Sequence, residues 1–195
     1  VSMAGELVET SIDNGDGTVT IAGIVGGTAA NTALGAFVID GGGALDLDAA
    51  IQRATSLAQT GTTALGADVT TTSTQTYTGL VTADVASKRT LTGSTVTFTA
   101  GFNGGAQALD IVGNLVTGAA MTNTTVLDVS GTASLGGSVT TADSLTIDGT
   151  LTLTADATLD STGNDNTDDI TMCAIFPLYT LHRSKFISRF ISFQN

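Results

Sequence analysis

From residue 109 to residue 157 every sixth position is apolar: Leu109, Leu115, Met121, Leu127, Ala133, Val139, Leu145, Leu151 and Ala157. Around these anchors apolar and polar residues alternate, as in Leu145, Ile147, Leu151 and Leu153 with Thr or Asp between them. Alternation is the strand period, which puts aliphatic side chains on one face and Thr and Asp on the other. A helix explains the pattern poorly, because six is not a multiple of 3.6 and Thr-rich segments are weak helix formers.

A longer period contains the short one. "LDIVGNL" at 109, "LDVSGTA" at 127 and "LTIDGTL" at 145 align at a spacing of 18, with Leu109, Leu127 and Leu145 in one column. Ile111, Val129 and Ile147 form a second column, and Gly113, Gly131 and Gly149 a third. Such self-similarity marks a repeat architecture. Eighteen residues, taken as three short strands joined by corners, suit one coil of a parallel β-helix whose inward aliphatics line up along the axis. The Gly at each strand end suits a corner that needs positive φ or close backbone approach. The expected fold class is therefore all-β, a β-solenoid with coils of about 18 residues.

The pattern loosens towards the N-terminus. Residues 69–105 keep the Thr-rich alternation, and Leu91 falls 18 before Leu109. In "IDNGDGTVTI", residues 12–21, the Gly and Asp cluster between two alternating segments predicts a β-hairpin. In "LDLDAAIQRATSLAQ" the spacing of Leu47, Ile51, Ala54 and Leu57 predicts a short helix over 46–58, with Asp46 or Asp48 as N-cap. The chain thus divides into a β-rich region with hairpin and helix (1–68), a β-helical repeat region (69–171) and a tail (172–195).

The segment "STQTYTGLVTADVASKRTLTGSTVTF", followed by the reiterated L-x-[IV]-x-G units, resembles the repeat regions of bacterial filamentous-haemagglutinin-like and autotransporter-passenger-like surface exoproteins. The likeness covers roughly residues 69 to 162 and consists of repeat motifs, with no catalytic signature. It implies a right-handed parallel β-helix, secretion to the outer cell surface, and a non-enzymatic structural or adhesive role towards a cell-surface or matrix component. No secretory signal is visible in the opening "VSMAGELVET", which lacks a basic region followed by an apolar run. The chain looks like a piece of such a protein, or a degenerate copy. Its open coil edges predict self-association through the solenoid ends.

Charge narrows the partners. All 18 acidic residues precede Met172, against three basic ones there (Arg53, Lys88 and Arg89), a balance of −15. A surface of that sign repels phosphate backbones and argues against nucleic acid. Residues 17–39 are free of charge and long enough to cross a bilayer, but their Gly, Thr and Asn content argues against a span.

Acidic loops raise the question of calcium. Asp13 and Asp16 lie in an Asx-rich turn, and Asp165, Asp168 and Asp169 in "DSTGNDNTDDI"; both loops offer oxygen ligands. Counted from Asp13, the twelfth position is Ile24 and supplies no carboxylate, so the first loop is not an EF-hand. A calcium-binding extracellular module is the alternative reading; otherwise no cofactor is expected. A further alternative, a β-helix enzyme acting on polysaccharides, rests on fold analogy. The body has no His or Cys, and its only adjacent cations are Lys88 and Arg89. The six-residue step also resembles left-handed hexapeptide β-helices, which include acyltransferases with a His base, but His182 lies outside the repeats.

The tail changes alphabet. Residues after 171 hold the chain's single Cys, Pro and His (Cys173, Pro177, His182), four of its seven Phe, and three basic residues with no acid. It reads as a basic aromatic membrane-surface anchor, as a cap on the last coil, or as a frame-shifted end. The simultaneous change of alphabet, charge and period favours the last.

Overall fold

The computed structural model of the protein describes residues 10–13, 15–26, 34–162, 170–172, 186–187 and 191–193. Among them every regular element is a β-strand, and every strand pairing is parallel. Strands within the stack pair with one in the coil before and one in the coil after, those at its two ends pair on one side, and the chain visits three faces in turn. This is a β-solenoid.

The first face is built from Thr18–Ile21, Ala44–Leu47, Thr63–Leu65, Val81–Ala83, the beginnings of Phe102–Thr117 and Met121–Val129, then Val139–Thr141 and Leu159–Ser161. The second holds the start of Ile51–Gln59, Val69–Thr71, the start of Arg89–Phe98, residues 109–112, the end of Met121–Val129, Leu145–Ile147 and Ile170–Met172. The third holds Thr10–Asp13, Leu34–Asp40, residues 54–59, Thr74–Tyr77, residues 95–98 and 114–117, Ala133–Leu135 and Leu151–Leu153.

The six-residue step is the step from one face to the next. Leu109 is on the second face, Leu115 on the third and Met121 on the first, and Leu127 begins the next coil opposite Leu109. Each face therefore contributes inward columns along the axis. One, on the second face, runs Ile51, Val69, Leu91, Ile111, Val129, Ile147 and Met172, all buried. Burying each Leu or Ile contributes about 1.5–3 kcal/mol against the entropy of ordering the coil. No coil can enclose such a column alone, so stability comes from stacking.

Two features complete the interior. Tyr77 stacks on Phe98 with ring centroids 5.5 Å apart, and Phe98 meets Phe102 at 5.2 Å. The fully buried Tyr77 hydroxyl donates to Gln75 Oε1 at 3.1 Å, and Gln75 Nε2 donates to the carbonyls of Thr92 at 2.8 Å and Val69 at 3.2 Å. The repeat glycines are explained at the second corner. A Cβ on Gly131 would stand 2.6 Å from the Gly113 carbonyl oxygen, and one on Gly149 2.6 Å from that of Gly131. Close approach of successive coils is the requirement there; only Gly113 of the three also has a positive φ, 141°.

Two sequence expectations are corrected. The helix predicted over 46–58 is instead the strand Ala44–Leu47 and the longer strand Ile51–Gln59. Leu47, Ile51, Ala54 and Leu57 are all buried, but their spacing of four, three and three comes from corners. Arg53 sits at φ 58°, and this turn lets Ile51 and Ala54 both face inward. The hairpin predicted over 12–21 is not one either. Thr10–Asp13 pairs in parallel with residues 37–40, and Thr18–Ile21 with Ala44–Leu47. The glycine-rich turn separates two faces of one coil.

Parallel pairing also crosses from residue 51 to 69, so the stack is continuous through the boundary expected at 68. Within 17–39 the described elements are the solenoid strands Thr18–Ile21 and Leu34–Asp40. Of the tail, Phe186–Ile187 pairs in parallel with residues 159–160 and Ile191–Phe193 with Ile170–Met172.

Candidate functional site

The strand Ala44–Leu47 buries Leu45 and Leu47 and turns Asp46 outward between them; Asp48 follows at the corner. Leu47, Leu65 and Ala83 are in register over three coils, so the next residue of each, Asp48, Gly66 and Asp84, follows the same column. Gly66 is what lets the outer two approach. A Cβ there would stand 2.9 Å from Asp84 Oδ1 and 2.8 Å from the Leu47 carbonyl oxygen.

As a result one carboxylate oxygen from each of Asp46, Asp48 and Asp84 lies within 4.8 Å of the others. Partial burial and the like charges of Asp48 and Asp84 hold the Asp46 carboxyl above the ordinary carboxylate range, opposed by a hydrogen bond with the Thr20 side chain. Among the described residues this is the one group of three acidic, His or Cys side chains so gathered. Three clustered oxygens are fewer than the six to eight oxygen ligands that a hard cation such as Ca²⁺ takes. Exposed carboxylates also gather with no ion to bind, and a proton shared within the trio relieves the same repulsion.

A second acidic row follows the second face. Asp110 and Asp128 are in register on adjacent coils, and Asp148 lies one coil further. Burial first, then the charges of Asp110 and Asp148, raises the Asp128 carboxyl, while Lys88 lowers it. Lys88 Nζ meets Asp110 Oδ2 at 3.0 Å. Arg89 Nη1 donates to the Gly66 carbonyl at 2.8 Å and lies 3.7 Å from Asp68 Oδ1. The only adjacent pair of cations in the body is thus engaged in tying one coil to another.

Of the calcium candidates named from sequence, Asp16 is exposed in the turn before Thr18 and belongs to no such cluster. The side chain of Asp13 and the whole of Asp165, Asp168 and Asp169 lie outside the described residues. The trio that does form is not apparent from the sequence, where Asp46 and Asp48 read as helix N-caps. A signal existed: Asp84 follows Asp48 by 36 residues, two repeat periods.

No family model matches the chain, and neither a curated protein nor a solved structure does. The likeness to surface exoproteins accordingly stands on the repeat motifs quoted from the sequence.

Proposed function

We propose that the protein is a non-enzymatic structural or adhesive repeat segment of a secreted bacterial surface protein. The observation that supports this best is the unbroken interior column from Ile51 to Met172, which makes the chain one extended stack. A stack of this kind is a stiff rod whose outward positions are free to vary, and such solenoids present long faces to large partners. Among the described residues the charged groups sit on the outside, where they keep a repetitive β-structure soluble and separate from its neighbours. The partner of an adhesive segment would be a cell-surface or matrix component. Self-association would run through the open solenoid ends.

The reading is tested by antibody labelling of intact producing cells. Labelling without permeabilisation supports an exported surface rod. Labelling that needs permeabilisation contradicts it.

The acidic trio favours a second reading, a calcium-binding extracellular module. Asp46, Asp48 and Asp84 would supply three oxygens, and solvent the remainder. A melting temperature raised by millimolar Ca²⁺ in the parent chain but not in Asp84→Asn supports this reading, and an unchanged melting temperature in the parent removes it.

A further inference from the structure

The third face differs from the other two in what it turns outward. In Thr74–Tyr77 and the residue after it, the outward positions are Thr74, Thr76 and Thr78; in the next coil they are Thr95, Thr97 and Thr99. Thr74 pairs with Thr95 and Thr76 with Thr97, so the six side chains form a two-dimensional net. The net extends in register through Ala58 on one side and through Val116, Ser134 and Thr152 on the other. At the far coil Thr150, Thr152 and Thr154 restore the full triplet, all exposed. No outward position of this face from residue 56 to residue 154 is charged, although Asp40 stands exposed on it one coil earlier; over the same residues Asp84 stands at the end of a first-face strand and Asp68, Asp110 and Asp128 on the second face.

The fold fixes the net's dimensions. Adjacent coils lie about 4.8 Å apart, and alternate residues of one strand about 6.6 Å apart. Thr is β-branched and stiff at χ1, so each position presents a hydroxyl and a methyl group in a restricted set of orientations. Methyl groups restrict the orientation of first-shell water, and hydroxyls bridge to it at little enthalpic cost.

The neutrality of the face selects among occupants. A charged polymer finds nothing to pair with here. A second copy of the face would have to strip water from rows of hydroxyls, at a cost for each left without a partner. Water itself demands neither charge nor desolvation, and the prism planes of hexagonal ice carry oxygens in rectangular nets of similar dimensions. We infer that the Thr net of the third face binds an ordered water lattice, the surface of an ice crystal, through its hydroxyls and the water cages around its methyl groups. This reading does not depend on the exoprotein proposal.

The test is nanolitre osmometry on the purified full chain, with single ice crystals grown in its presence. Faceted crystals and a gap between melting and freezing points are expected. Thr97→Lys, at the centre of the net, and Thr74→Lys, on its exposed border, should lose both effects. Thr146→Lys, an outward position on the charged second face, should keep them. Circular dichroism of each variant identifies any that fails to fold; if Thr97→Lys does so, Thr74→Lys carries the comparison. Round crystals freezing at their melting point with the parent chain would overturn the inference, as would equal loss in Thr146→Lys. A face-to-face dimer in sedimentation that Thr97→Lys dissociates would overturn it too, by assigning the face to a second copy.

Discussion

Replacing Leu127 with Ala removes one side chain from the middle of an inward column and leaves every outward residue in place. Leu127 is 1% exposed and lies between Leu109 and Leu145, themselves buried. The coils above and below are held by parallel pairing on all three faces, so the space has little room to collapse. Leu→Ala at such sites costs about 2–5 kcal/mol, the transfer term plus the cavity. Taking about 3 kcal/mol, and about 2–4 °C per kcal/mol for a chain of this size, the melting temperature should fall by about 6–12 °C. The comparison variant is Asp128→Asn, one residue away and outward. It relieves repulsion from Asp110 and Asp148 and should leave the melting temperature unchanged or slightly raised. Thermal unfolding followed by far-ultraviolet circular dichroism reads both. A Leu127→Ala variant melting within about 1 °C of the parent would refute the inward assignment, because an exposed aliphatic changes stability by only a few tenths of a kcal/mol.

Three further outcomes are expected. Gly131→Ala should destabilise by about 1–3 kcal/mol in urea titrations, since its Cβ would meet the Gly113 carbonyl and Asn114 Oδ1, while Gly23→Ala, whose Cβ meets nothing within 4 Å, should cost far less. Asp46 and Asp128 both have raised folded carboxyls, so the native state holds protons more tightly than the unfolded chain and their contribution to stability grows as pH falls. Melting temperatures should therefore rise as pH is lowered from neutrality towards the ordinary carboxylate value of 3.8, and the Asp46→Asn, Asp128→Asn double variant should flatten that rise. Lys88→Ala removes one exposed ion pair with Asp110 and should change stability by no more than about 1 kcal/mol.

The parts of this fold that were legible in the sequence are those where the coil length does not change. Leu109, Leu127 and Leu145 are successive neighbours in one column, and the 18-residue period reports that stacking directly. Elsewhere the coils lengthen at their corners, as from Val69 to Leu91 or Val139 to Leu159, and a fixed-period comparison loses the column although the pairing continues. Corners also imitate other structures. The Arg53 turn gives Leu47, Ile51, Ala54 and Leu57 the spacing of a helix, and the turn before Thr18 looks like a hairpin because nothing local reveals that both strands pair with a later coil. The acidic trio and the Thr net were hidden for the same reason. Each gathers residues from different coils, and only the register brings Asp48 to Asp84 or Thr76 to Thr97.

The central claim is parallel, in-register stacking of successive coils, and a disulfide tests it most directly. In a Cys173→Ser background, Asp128→Cys and Thr146→Cys place two outward thiols on paired positions of neighbouring coils, about 4.8 Å apart and within disulfide reach. Asp128→Cys with Asp148→Cys moves one thiol two residues along the strand, to about 8 Å, beyond that reach. The account predicts rapid oxidation of the first pair with native stability retained, and none of the second. Oxidation of the second pair in preference to the first would contradict the register and the solenoid with it.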